Sequence, residues 1–307
     1  MSQLHNSAIN TTDFAEKLSS ELDKILVDNS KTAFMLGNNF GIKFVGAKDV
    51  KIPTMTLIGL GDYDVDEGYP AGKITLKHKT YTVAKDRGRQ FGIDAVEADD
   101  TGVEGLAANV LSEFVRTKVV PEMDAYVISK LYGIAKEKNQ IVTLDGYTVE
   151  QKPYKALREL VTKVSIAGYE GEKVCFVPYD VLNSFALSEE INKIMKVSEL
   201  KNGEIKTTVT RIDDVSLIGV NPNLMKTIYT FATGEDKSTG GITPHEDAQD
   251  IKMLMMPKSA ASLIKKHETI KTFVPGSFPG KDAYEFDYRI HYDVFAKGSM
   301  EPTIFAL

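Results

Sequence analysis

Few residues in this 307-residue chain stand at spacings that do chemistry. His245-Glu246-Asp247, with Asp250 three positions on, gathers an imidazole and carboxylates, the donor types of a divalent-metal centre or a metal-dependent hydrolase. Zinc-binding histidines on a helix lie four residues apart, and here no second histidine follows. The run also sits in the Gly/Thr-rich stretch 233–250, so it reads as a solvated loop. Cys175, the single cysteine, lies in Lys173-Val-Cys-Phe-Val177 with no neighbouring His or Asp to take its proton. It reads as a small buried hydrophobe in a core strand. One thiol cannot close an internal disulfide, which fits a reducing cytoplasm. His267 and His291 stand alone; His291 shares a strand face with Arg289 and Asp293, as in a cross-strand polar pair. Neither a phosphate-binding glycine loop nor a G-x-S-x-G elbow occurs. No catalytic, cofactor or metal site is expected, and an enzyme is not.

The denser signal is charge. Lys73, Lys77, Lys79, Arg87 and Arg89 fall close to Asp86, Asp94, Glu97, Asp99 and Asp100. The two signs cancel, and only Tyr81 and Phe91 interleave them, so a nucleic-acid patch is a poor reading. The formal net charge is −6 and the pI about 5.5, which argues against affinity based on neutralising phosphates. Complementary rims between adjacent subunits explain the pattern better, because such charges set register and encounter.

Stepping from these residues to their elements, Ile74, Leu76, Tyr81 and Val83 alternate among Lys, Thr and His. That predicts a solvent-washed β-hairpin arm ending near Asp94, with a mobile tip over 62–72. Beyond Asp100-Thr101-Gly102 the period changes. Leu106, Val110, Leu111, Phe114 and Val115 mark a long helix, and Ala125, Ile128, Leu131 and Ile134 continue it. Pro121 predicts a kink or restart inside it. Upstream, residues 1–12 read as disordered. Asp13 and Glu16 resemble a capping box for a helix with Phe14, Leu18, Leu22, Ile25 and Leu26 on one face. That face must pack on the body or on a neighbour.

Downstream, Asp145-Gly146 suggests a tight hairpin. Helices follow at Tyr154–Ala167 and Tyr179–Ala186, with strands at Val174–Val177 and Arg211–Val220, giving a mixed α/β module over about 150–256. A strand over Ile251–Met256 precedes a helix over Lys258–Lys266. Near-strict alternation from Tyr284 to Ala296 predicts one long two-faced strand. No apolar run approaches the ~20 residues of a membrane span, and no signal core opens the chain, so a soluble, unsecreted protein is expected.

Three stretches together carry a family resemblance. Asp86-Arg-Gly-Arg-Gln-Phe-Gly-Ile-Asp94 is followed by an acidic turn, Glu113-Phe-Val-Arg116 and Val120-Pro-Glu-Met-Asp-Ala-Tyr126. Phe286-Asp-Tyr-Arg-Ile-His-Tyr-Asp-Val-Phe295 closes the chain. This resembles the major capsid proteins of tailed bacteriophages over roughly residues 50–307. The resemblance implies an α+β fold, that of the Hong Kong 97 capsid. It places an N-terminal arm over 1–50, an extended β-hairpin loop over 51–97 and a peripheral domain with a spine helix over 98–149. An axial domain over 150–256 and a return to the peripheral domain over 257–307 complete it. It further implies self-assembly into hexamers and pentamers around double-stranded DNA, which is enclosed without sequence-specific binding. A portal protein and a decoration protein are implied partners. Many relatives carry a scaffolding extension of about a hundred residues ahead of the arm; its absence here points to a separate scaffolding protein. Lys73, Lys77 and Lys79 lack a matching acceptor asparagine, so covalent cross-linking is not carried over. An encapsulin-like nanocompartment shell that encloses cargo enzymes is the alternative.

Overall fold

The computed structural model describes residues 11–38, 41–46, 48–56, 58–66, 68–69, 72, 74–94, 103–187, 196–197, 210–234, 240–273, 275–276 and 282–307. Its helices are α1 (Thr11–Asn29), α2 (Val103–Phe114), α3 (Val120–Glu137), α4 (Pro153–Ile166) and α5 (Tyr179–Leu187). Its first strands are β1 (Lys43–Val45), β2 (Asp49–Thr56), β3 (Thr75–Thr82) and β4 (Lys85–Asp94). The middle of the chain gives β5 (Lys173–Pro178), β6 (Lys196–Val197), β7 (Thr210–Ile212), β8 (Val215–Val220), β9 (Tyr229–Phe231) and β10 (Ile242–Pro244). The last strands are β11 (Leu254–Pro257), β12 (Ala261–Phe273), β13 (Ala283–Ala296) and β14 (Phe305–Ala306).

The long helix is continuous but not uniform. A π-helical turn, Val115–Val119, joins α2 to α3, and Pro121 falls in the first turn of α3. Proline has no N–H to return to the preceding turn, and the wider turn accommodates that loss. The restart expected at Pro121 is therefore a π turn just ahead of it. Met123, Val127, Ile128 and Leu131 of α3 are buried in the main core, with Tyr288, Ile290, Tyr292 and Val294 of β13.

The face of α1 packs on its own body. Leu18, Leu22 and Leu26 join that core beside Leu111 and Val115, and Asp23 pairs with Lys265. Asp124 fixes the exit from α1. Ser30 Oγ donates to it at 2.7 Å, Thr32 Oγ1 at 2.6 Å, and the Lys31 and Thr32 amides also donate. Burial pushes this carboxyl up, and those donors oppose the shift.

A six-stranded sheet, ordered β14-β11-β5-β8-β7-β6, separates the main core from a second one. Along β5, Val174 and Phe176 enter the main core while Cys175 and Val177 enter the second, with Leu157 and Leu160 of α4 and Phe185 of α5. Both faces are covered, which is why this strand reads as an apolar run. Cys175 is buried as expected, and burial raises its thiol pKa.

Several expected elements differ. Lys258–Lys266 is not helical: Ala261–Phe273 is a strand paired along its length with β13. Burial of Ala261, Leu263 and Ile264 and an available partner strand outweigh the local helical pattern. Asp145-Gly146 makes a turn (Gly146 φ +77°) without flanking strands, and Val142, Leu144 and Tyr147 pack onto the second core. Arg211–Val220 is two strands, β7 and β8, turning at Asp213 in the left-handed region (φ +49°). The loop 233–250 contains β10, which pairs with β9. The final strand is as long as its alternation implied, and it pairs with β12 on one side and β4 on the other.

That last pairing redraws the hairpin. Residues 85–94 lie in the sheet of the closing strand, Lys85 opposite Tyr292 and Asp94 opposite Ala283. The arm that leaves the body is β2 and β3, paired from Asp49↔Thr82 to Thr56↔Thr75.

Candidate assembly interface

The projecting hairpin is rooted firmly and exposed beyond its root. Val50, Ile52 and Val83 are buried with Ile264 and Phe295, and Tyr81 lies 5.0 Å from the Phe295 ring. The turn into β4 is pinned by a buried charge. Asp293 is fully buried, accepts from the Ala84 amide at 2.9 Å and from Tyr126 Oη at 2.9 Å, and pairs with Lys130 at 2.5 Å. Lys85, 3.3 Å above the Phe231 ring, has its pKa lowered by burial and then by Arg87. The Tyr126 hydroxyl is shifted up by burial and by Asp293.

Beyond the root, Lys77, His78, Lys79 and Thr80 are exposed in succession. The tip is nonetheless shaped. Asp64 and Gly68 exchange backbone hydrogen bonds at 3.3 and 2.8 Å, Gly68 has φ +81°, and the Asp66 amide donates to Asp64 Oδ1 at 2.7 Å. Across this turn the Tyr63 and Tyr69 rings lie 5.0 Å apart. Leu60, Val65 and Tyr69 are 107, 86 and 89 % exposed. Apolar and aromatic side chains on a shaped turn that none of the described residues covers are the kind of patch that marks a binding surface.

The charged residues singled out in the sequence separate on inspection. Lys77 and Lys79 lie on β3, with Lys79 4.9 Å over the Tyr81 ring. Asp86 pairs within the chain: Arg289 donates twice, at 2.8 and 2.7 Å, and His291 Nε2 is 2.5 Å away. Arg289 chiefly holds the Asp86 carboxyl down to about 2. The cross-strand polar pair expected of His291 is thus with Asp86, while Asp293 belongs to the hairpin root. Arg87 also pairs internally, bidentate to Glu122 at 2.7 and 3.2 Å and to the carbonyls of Ala232 and Gly241. Arg89 lines a cavity, and Asp94 ends β4 exposed. Lys73, Glu97, Asp99 and Asp100, and with them the acidic turn, lie outside the described residues.

The cavity, about 370 Å³, sits between β4, β13, the π turn with α3, and the segment around Ala232 and Gly241. Phe91, Phe114, Tyr288 and Tyr292 give it aromatic lining, and Arg89, Lys118 and the paired Arg87 and Glu122 its charged lining. The sequence showed Arg89 and Tyr292 on alternating strands, but not that the two strands pair. Lys118 carried no distinguishing signal.

His245, Glu246 and Asp247 do come together, their donor atoms within 4.8 Å of one another on an exposed turn. The Asp247 amide approaches His245 Nδ1 at 3.2 Å, and Asp250 is drawn away by Lys226. Among the described residues no helix is long and apolar enough to cross a membrane.

No protein-family model matches the chain, and no curated protein matches it. Solved structures do. A chain of the capsid structure of cyanophage P-SCSP1u superposes with TM-score 0.55 at 10 % identity, over 86 % of this chain and 84 % of that one. The chain adopts the phage capsid fold. The α+β architecture expected from the resemblance is therefore present. The virus-like particle from Pyrococcus furiosus is similar as well, with TM-score 0.56 at 11 % identity over 96 % of this chain and 99 % of that one. A chain from Mycobacterium phage Adephagia gives 0.52 at 13 %, covering 91 % and 89 %.

Proposed function

We propose that this chain is the major capsid protein of a tailed phage or prophage, self-assembling into an icosahedral shell around double-stranded DNA. Its role is structural rather than enzymatic. The observation that carries this reading is the hairpin, rooted at the buried Asp293 and ending in a shaped tip whose apolar side chains none of the described residues covers. Such a tip is stabilised by a neighbour, and many individually weak contacts of this kind sum over a closed shell. In domain terms, residues before 49 form the arm, β2 and β3 the extended loop, and α2–α3 the spine. The α/β module around the six-stranded sheet forms the axial domain, and β12–β13 the return. Lys77 and Lys79 remain candidates for contact with a neighbour. Hexamers and pentamers of the same chain, a portal, a scaffolding protein and a decoration protein are the expected partners, with assembly in the bacterial host cytoplasm. A net charge of −6 suits a wall that encloses DNA and later releases it.

A second reading, an encapsulin-like compartment enclosing protein cargo, is favoured by the near-complete coverage of the Pyrococcus particle. Isolation of particles from cells expressing the chain with its neighbouring genes separates the two. Nuclease-resistant double-stranded DNA in the particles supports the capsid; a co-purifying enzyme without DNA supports the compartment.

A further inference from the structure

The cavity between β4, β13 and the spine helix has the size, the charge and an unmet hydrogen bond of a small-molecule site. Its volume of about 370 Å³ lies within the usual range for ligand-binding pockets, roughly 300–1,000 Å³. Its rings hold one another in place: Phe114 meets Phe91 edge-on at 4.7 Å and Tyr288 edge-on at 5.9 Å. Rings fixed in this way receive a flat aromatic guest with little further ordering cost. The charged lining is unbalanced. Arg87, Arg89 and Lys118 stand with a single carboxylate, Glu122, and Arg87 already takes both of its oxygens. Lys118 makes no ion pair among the described residues. Gly240 and Gly241 line the cavity with bare backbone, and a Cβ on Gly240 would lie 3.5 Å from Arg89 Nη1, so the guanidinium rests against that segment. Tyr292 supplies the unmet bond. It is 1 % exposed, lines the cavity, and its hydroxyl has no hydrogen-bond partner among the described residues. Burial first, and then the Glu122 carboxylate, push its pKa up, so it stays an O–H donor. A buried donor without an acceptor costs free energy, which a ligand oxygen beside it removes.

We propose that this cavity binds a small, flat aromatic anion. Its ring system lies against Phe91, Phe114 and Tyr288, its anionic group sits at Arg89 and Lys118, and a ring oxygen accepts from the Tyr292 hydroxyl. Each part of the ligand answers one feature of the site. A neutral aromatic leaves the surplus positive charge unmatched. An aliphatic anion leaves the rings without a partner. An aromatic anion with no further oxygen leaves Tyr292 unpaired. The lining residues all belong to one chain, so the site is complete in a single subunit. Ligand binding and shell formation are therefore separate properties, measured separately.

Three related probes test it. 6-Hydroxy-2-naphthoate carries the rings, the charge and the second oxygen, and it fluoresces. 2-Naphthoate lacks that oxygen, and 6-hydroxy-2-naphthamide lacks the charge. Titrated into the purified full chain, the hydroxynaphthoate is expected to saturate at one per chain and to bind at least about fivefold more tightly than either analogue. In Tyr292→Phe its advantage over the naphthoate should vanish while its advantage over the naphthamide persists. In Lys118→Gln the pattern should reverse: the advantage over the naphthamide falls at least about threefold and that over the naphthoate persists. Lys118 is exposed, so this second variant keeps its fold and decides the matter even where Tyr292→Phe unfolds, as circular dichroism checks. Absence of saturable binding, equal affinity for the three probes, or advantages unchanged in the variants means adventitious apolar binding only and overturns the proposal. None of these outcomes bears on shell formation, which is read from particles.

Discussion

Lys130 of the spine helix, partly exposed, and Asp293 of the closing strand, fully buried, form an ion pair at 2.5 Å where the projecting hairpin meets the body. Asp293 also accepts the Ala84 amide, in the short link between β3 and β4. One carboxylate therefore joins three elements distant in sequence and sets the angle at which the arm leaves.

Removing the cation should be worse than neutralising the acid. Lys130→Met leaves the fully buried Asp293 charge without its cation, held only by the Ala84 amide and the Tyr126 hydroxyl, whereas Asp293→Asn removes the charge and keeps an acceptor for Ala84. Breaking a buried pair from one side costs about 3–5 kcal/mol. Denaturant unfolding of the monomer should show Lys130→Met losing about that much and Asp293→Asn less. A loss below about 1 kcal/mol for Lys130→Met would mean the pair is not held in the folded chain.

Gly88 has a steric reason to be glycine. A Cβ there would lie 2.8 Å from the Tyr288 carbonyl oxygen, a backbone atom of the paired strand. Gly88→Ala must separate β4 from β13 locally, with an expected cost of about 1–3 kcal/mol. Equal stability of Gly88→Ala and the parent would contradict the β4–β13 register.

The Asp86–Arg289 pair predicts an acid dependence. The folded carboxyl sits at about 2, below the unfolded value of about 3.9, so folding favours its ionised form. The stabilisation is complete above the unfolded value and declines as pH falls from about 4 towards 2. Asp86 is partly exposed and solvent screens the pair, so the effect is modest. Urea midpoints measured between pH 2 and 5 should show a shallower slope for Asp86→Asn than for the parent. Parallel slopes would remove the pair from the account of acid sensitivity.

The hairpin tip should be dispensable for folding and indispensable for assembly. Replacing residues 58–73 by a short glycine-containing turn spares the register from Asp49 to Thr56 and the root at Val50, Ile52 and Val83. Cooperative unfolding should persist while particles disappear. A chain that no longer unfolds cooperatively would show that the tip stabilises its own subunit.

Much of this architecture was legible because its periods are strong. Tyr284 to Ala296 alternates cleanly and is one strand; Leu18, Leu22 and Leu26 of α1 and Leu111, Val115, Ile128 and Leu131 of the spine face the core as their spacing implied, while Val110 of the same stripe is exposed. What was hidden depended on partners. Lys258–Lys266 resembles a helix until β13 is beside the strand that begins at Ala261. The run Asp86–Asp94 continues the alternation of the hairpin, so nothing local reveals that it crosses into another sheet. Arg87 therefore looked like a rim charge, although Glu122 on the spine helix and two carbonyls already hold it. Lys118 and Tyr292 had no motif to mark them; only the fold brings them to one cavity, where the Tyr292 hydroxyl has no partner among the described residues.

Negative-stain electron microscopy of the full chain, expressed with and without its neighbouring genes, tests shell formation most directly. Closed particles of uniform diameter, or rings and tubes of the same subunit, are expected from the parent and absent when residues 58–73 are replaced. A parent chain that stays monomeric under every condition, with no shells, rings or tubes, would contradict it.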